Sequence, residues 1–99
     1  MQRDTLISEI QKYINANNGV TDHYGWYVGI TDDPKRRLFQ DHKVNENGGN
    51  WIYGPASSHS AAREIERHFL DLGCNGGSGG GDSSSIYVYA YKITWYTHE

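Results

Sequence analysis

Glu66 is the residue whose neighbours in the sequence most demand a chemical explanation. On a helical wheel that advances about 100 degrees per residue, Ala61, Ala62, Ile65, Phe69, Leu70 and Leu72 form one apolar arc, and Glu66 falls inside it between Phe69 and Leu70. Arg63, Glu64, Arg67, His68 and Asp71 share the opposite side. Burying an unpartnered carboxylate is costly, so Glu66 is expected to have a metal ion, an arginine or a tyrosine hydroxyl beside it. The wheel leaves two readings open: a metal ligand, or a buried ion pair with Arg36 or Arg37.

A second group is Tyr27-Val28-Gly29-Ile30-Thr31, followed by Asp33-Pro34-Lys35-Arg36-Arg37-Leu38. In a strand, Tyr27, Gly29 and Thr31 share one face, while Trp26, Val28 and Ile30 look the other way. A glycine within a strand often marks close approach by a ligand or another segment. Residues 86 to 93 repeat the division, with Tyr87, Tyr89 and Tyr91 opposite Ile86, Val88 and Ala90. Placed in one sheet, the two segments give a tyrosine-lined polar face opposite an aliphatic core face. The alternative is that the tyrosines simply pack beneath helices.

The remaining candidates are weaker. His23, His59, His68 and His98 have no spacing that puts two of them on one helical face near Glu66, and read as surface residues. The run from Gly76 to Gly81 lacks the Gly-Lys-Ser/Thr that a phosphate-binding loop requires, and Asp82 after it fits an ordinary turn. Cys74 is the single cysteine, which excludes an internal disulfide and a thiolate zinc cluster and fits a reducing compartment, the cytoplasm.

These residues need elements to position them. Asp4-Thr5 precedes Leu6, Ile7, Ile10, Tyr13 and Ile14 at helical spacing, and Asn17-Asn18-Gly19 supplies a stop, so residues 1–18 hold an amphipathic helix. A strand over Trp26 to Thr31 leads through Asp32-Asp33-Pro34 into a short helix from Pro34 to Lys43. Trp51-Ile52-Tyr53 reads as a short strand ended by Gly54-Pro55. Ser57 or Ser58 caps the helix of Glu66, which runs to Leu72 and closes at Gly73. Residues 74–85 are glycine- and serine-rich and read as a flexible linker, and the tyrosine strand follows.

In order and spacing, residues 26 to 72 resemble the GIY-YIG nuclease superfamily. Tyr27-Val28-Gly29-Ile30-Thr31-Asp32-Asp33-Pro34-Lys35-Arg36-Arg37-Leu38 looks like its second signature strand and arginine helix, with Arg37 in the catalytic-arginine position. Trp51-Ile52-Tyr53 is similar to its third strand, and residues 62 to 70 to the helix of its metal-binding glutamate, matched here by Glu66. His42 lies one residue later than the histidine often found on the arginine helix of relatives. The first signature strand should precede Tyr27, yet residues 15 to 24 contain no such strand. Ser85-Ile86-Tyr87 resembles the missing signature with serine in place of glycine, so the chain reads as a circular permutant. Residues 86 to 93 must then pair with residues 26 to 31.

The resemblance implies an α+β domain spanning residues 1–99, a small and mainly antiparallel three-stranded sheet flanked by helices. It implies a metal-dependent DNA endonuclease, with Mg²⁺ or Mn²⁺ on Glu66 and with Tyr27, Tyr87, Arg37 and His42 at the site. With 99 residues and a net charge of −3, the chain lacks the overall positive field that dominates nonspecific DNA affinity. DNA binding is expected to be local and weak alone, with a protein partner for targeting. No stretch suits a signal peptide or a membrane span. The rival expectations are a non-catalytic GIY-YIG-like binding module for nucleic acid or protein, and a structural domain in which Glu66 and Arg37 are only an ion pair.

Overall fold

The computed structural model describes residues 2–17, 22–77 and 84–99. The first helix, α1, covers Arg3–Asn17 and buries Leu6, Ile10 and Ile14 along one side. It begins one residue before the Asp4-Thr5 signal, and the Asn18-Gly19 part of its expected stop lies outside the described residues. Its last carbonyls receive a cation, because Lys92 Nζ donates to the Asn17 carbonyl at 3.0 Å. Residues His23–Gly25 make one 3₁₀ turn, capped by the Asp22 side chain.

Three strands follow: β1 over Trp26–Thr31, β2 over Trp51–Pro55 and β3 over Tyr87–Lys92. Their order is β1-β3-β2 and both pairings are antiparallel. The last strand is thus the centre of the sheet, a position its two-sided alternation suits. Trp26 opposes Lys92, Gly29 opposes Tyr89 and Thr31 opposes Tyr87, so the pairing required of a permuted chain is present. Gly54 and Pro55 do not end β2. They pair with Val88 and Tyr87, which an edge strand tolerates because its outward side needs no ladder donor.

The Glu66 helix, α2, spans His59–Asp71. Ser58 is its cap, accepting from Ala61 N, and Gly73 leaves it with φ +112°, a left-handed conformation that favours glycine. Leu72, placed in the apolar arc by the wheel, is 45% exposed because it lies beyond the last helical turn. Helices α1 and α2 cover one face of the sheet, where Trp26, Val28, Ile30, Val88 and Ala90 meet Ile10, Ile14, Ile65 and Phe69. Tyr13 adds an edge-on contact with Trp26 at 6.0 Å and accepts from Trp51 N at 2.9 Å, tying α1 to both outer strands. Among the described residues no helix is long and apolar enough to cross a membrane.

The other face is aromatic. Tyr27, Tyr89 and Tyr91 pack with Leu38 and Val44 in a second cluster, so large rings supply here the area that a small chain lacks in aliphatic residues. The covering element is the expected arginine helix, but after Pro34 and Lys35 it winds as a π-helix over Arg36–Asp41. Residues 74–77 also depart from a free linker. Asn75 makes a parallel bridge with Tyr27, donating to the Trp26 carbonyl and accepting from Val28 N, both at 2.8 Å. The edge of β1 has unpaired donors and acceptors to offer, which glycine-rich composition alone does not reveal. Gly79 to Asp82 lie outside the described residues.

Candidate functional site

The tyrosine face and the π-helix meet over Gly29. A Cβ at that position would lie 2.5 Å from Tyr89 Oη and 2.6 Å from Tyr89 Cζ. Glycine is therefore the residue that lets the Tyr89 ring cross β1, and the close approach expected at Gly29 is made by this phenol.

His42 reaches the same point because of the π-helix. Its amide donates to the Arg37 carbonyl, five residues back, at 2.8 Å. A π-turn accommodates one residue more than an α-turn, which changes where His42 leaves the element. Its imidazole is 2% exposed, with Nε2 2.8 Å from the Tyr89 hydroxyl and Nδ1 2.6 Å from the His98 carbonyl. The Tyr91 hydroxyl lies 3.0 Å from Nδ1, and Tyr27 lies against the ring at a centroid distance of 4.6 Å.

Arg37 is half-exposed and ion-paired with Asp41 at 3.1 Å. Its charge also acts on the Tyr89 phenol. Burial pushes the Tyr89 phenol up to about 12, in spite of the arginine beside it. Tyr27 is raised for the same reason, with Arg37 opposing, and Gly77 lies close to its hydroxyl. Both tyrosines feel the charge of Glu66.

Glu66 is 7% exposed, the inward position that the wheel gives it. Arg36 pairs with Asp32 and Arg37 with Asp41, and among the described residues no ion pair within 4.0 Å involves Glu66. The ion-pair alternative of the sequence is therefore not realised. Burial raises its carboxyl above the usual range, with Arg63 and His59 opposing. The carboxylate borders a groove of about 490 Å³ whose lining includes Arg3, Arg63, Arg67, Leu70 and Gly77. Glu64 also lines it, Arg3 pairs with Asp4 and Glu64, and Arg67 with Asp71, which leaves Arg63 as the lining arginine with no ion pair within 4.0 Å among the described residues.

No group of three or more His, Cys, Asp or Glu side chains converges among the described residues. A buried carboxylate with no ion pair still fits a hard divalent cation that takes its other ligands from water and phosphate. Cys74 is buried with its thiol pushed up to about 11 by burial, which makes it an inert core residue.

Of the residues singled out by sequence, the structure brings Tyr27, Arg37 and His42 together, with Glu66 in electrostatic reach. Tyr87 stands apart. It pairs with Thr31 at the far end of the face, against Tyr53, about 13 Å along the ladder from the Tyr27 position. Tyr89 and Tyr91 occupy the centre instead. Alternation makes the three tyrosines equivalent, and only the strand register, invisible in the sequence, separates them.

Burial of His42 lowers its pKa, partly countered by the His98 carbonyl. A depressed histidine contributes stability that is present above its unfolded value and lost as pH falls through the folded one. Denaturant midpoints are expected to fall as the pH is lowered from 7.5 through 6.5 and below, and less steeply in His42→Gln. Equal slopes would show that His42 does not titrate differently in the folded chain. Compared with known protein families, with curated proteins and with solved structures, the chain matches none of them.

Proposed function

We propose that this chain is a metal-dependent DNA endonuclease of the GIY-YIG type whose first signature strand stands at the C-terminus. The observation that carries the reading is the gathering of Tyr27, Arg37 and His42 on one sheet face, with Glu66, buried and without an ion pair on the helix that covers the other face, in electrostatic reach of Tyr27. Residues 86 to 93 pairing with β1 is what the permuted arrangement needs.

In this reading Glu66 holds Mg²⁺ or Mn²⁺, which when bound polarises the scissile phosphate and stabilises the leaving oxygen. Arg37 neutralises charge that builds on the phosphoryl oxygens. Tyr27 orients the attacking water as general base, a part that the resemblance also gives to Tyr87. Arg63, the arginine of the Glu66 groove without an ion pair among the described residues, gives a DNA backbone its local attraction. With a net charge of −3 the domain binds DNA weakly by itself and relies on a protein partner for targeting. A cytoplasmic setting accords with its lone, buried cysteine.

One observation favours a non-catalytic binding module: Tyr89 and Tyr91 are 1% and 0% exposed, so much of the aromatic cluster serves as core. Plasmid nicking with magnesium or manganese decides between the readings. Cleavage is expected to require the metal and to be lost in Arg37→Ala and Glu66→Ala. Nicking that survives both substitutions, or no cleavage of any DNA by the wild type, would remove the nuclease assignment.

A further inference from the structure

Tyr27 belongs to the aromatic face of the sheet, whereas Glu66 stands on the helix that covers the other face. A ligand that touches both must pass round an edge of β1. One edge is closed, because β3 pairs along it from Trp26 to Thr31. The other carries the short segment Asn75-Gly76-Gly77. Asn75 fastens that segment through its main-chain bonds with Trp26 and Val28, and its side-chain Nδ2 donates to the Tyr24 carbonyl at 2.6 Å.

The two glycines that follow have their open sides turned opposite ways, as successive residues of an extended segment do. A Cβ on Gly76 would lie 2.6 Å from Leu70 Cδ2, on the side of α2, and 3.0 Å from the Val28 carbonyl. A Cβ on Gly77 would lie 2.9 Å from Tyr27 Oη, on the tyrosine side. Gly77 and Leu70 also line the groove that Glu66 borders. At Gly77 the groove wall is therefore main chain alone, with the Tyr27 hydroxyl next to it. That hydroxyl has little room to withdraw, since its ring lies 4.6 Å from the His42 ring and is stacked on Tyr91 at 5.3 Å, centroid to centroid. Glycine at such a place lets a ligand come close to the backbone, and Arg63 in the same groove supplies a cation for a phosphate oxygen.

We propose that Gly77 is a positioning residue: by lacking a side chain it keeps the outer edge of β1 open, so that one phosphodiester reaches both the Tyr27 hydroxyl and the groove of Glu66. The proposal rests on the nuclease reading for its substrate class, and it gives a task to a glycine-rich segment that composition reads only as a linker.

A double-mutant cycle in thermal melts of the full chain tests the contact without metal or activity. Gly77→Ala is expected to melt below wild type, and the loss is expected to shrink in the Tyr27→Phe background, where the missing hydroxyl leaves space for the methyl. An equal loss in both backgrounds would overturn the proposal. Nicking kinetics test the consequence. Gly77→Ala is expected to keep KM and to lower kcat about a hundredfold, the scale of a misplacement of about 1 Å. A folded Gly77→Ala that nicks as wild type does would overturn the proposal with the nuclease reading intact. If the wild type cuts no DNA, NMR titration with the dinucleotide thymidylyl-thymidine decides. Shifts of the Gly76, Gly77 and Tyr27 resonances that weaken in Gly77→Ala would uphold the edge of β1 as a phosphodiester site while the nuclease reading falls, and no shift there would overturn both.

Discussion

Glu66→Gln is expected to abolish metal-dependent nicking while leaving the fold intact. Lewis-acid stabilisation of a phosphoryl oxygen is worth several kcal/mol, and about 1.4 kcal/mol is a factor of ten, so the loss is expected to be on the order of a thousandfold. Glutamine keeps the shape of the side chain and removes the charge, which separates metal binding from packing. The stability consequence has the opposite sign. Burial raises the Glu66 carboxyl, and a carboxyl raised in the folded state favours folding at low pH and loses that contribution as pH rises through its folded value. Near neutral pH the charged side chain therefore strains the native state, and Glu66→Gln is expected to melt at the same temperature as wild type or higher. Magnesium or manganese is expected to raise the wild-type melting temperature and to leave that of Glu66→Gln unchanged. A cation effect equal in both proteins would place the metal elsewhere, and unaltered nicking would end the role of Glu66.

Gly29→Ala is expected to be the most disruptive single-methyl change on the tyrosine face. Its Cβ would meet Tyr89 Oη at 2.5 Å and Cζ at 2.6 Å, and the ring is stacked at a centroid distance of 6.3 Å from Tyr27 and bonded to His42, which leaves it little room to withdraw. Overpacking of this kind costs about 1–3 kcal/mol, and in a domain of this size each kcal/mol lowers the melting temperature by roughly 4–8 °C. Displacing Tyr89 would also break its 2.8 Å bond to His42, so the histidine resonances are expected to shift with the melting point. Gly48→Ala is the comparison, since its Cβ would approach only the Asn45 side chain, at 3.3 Å. Thermal melts of the two variants check the idea, and a Gly29→Ala protein as stable as Gly48→Ala would show that the Tyr89 ring moves freely.

Much of this architecture is legible in the residue pattern, for reasons that can be named. Period 3.6 places Leu6, Ile10 and Ile14 on one side of α1 and turns Glu66 inward on α2, because a helix fixes side-chain direction over a few residues. Period two separates Trp26, Val28 and Ile30 from Tyr27, Gly29 and Thr31, and Val88 and Ala90 from the tyrosines of β3. Ser58 and Gly73 mark the ends of α2 through local hydrogen bonding and a left-handed φ, both properties of short segments. The α+β class with its antiparallel sheet follows from these signals once the resemblance orders the strands.

Tertiary structure decided what no short segment encodes. The register of β3 against β1 sets Tyr89 opposite Gly29 and sends Tyr87 to the rim, a choice that alternation leaves open because one face of a strand offers equivalent positions every two residues. Glu66 and Arg37 lie on helices that cover opposite faces of the sheet, and Arg37 pairs with Asp41 on its own turn. The π-winding of Arg36–Asp41 brought His42 onto the tyrosines, and His98, 67 residues after the end of β1, supplied the carbonyl at its Nδ1. The sequence by itself determined which residues face inward, since that is a matter of local periodicity and the cost of burying charge. Which of them touch was settled only when distant segments came together, because hydrogen-bond partners and strand register are properties of the packed chain.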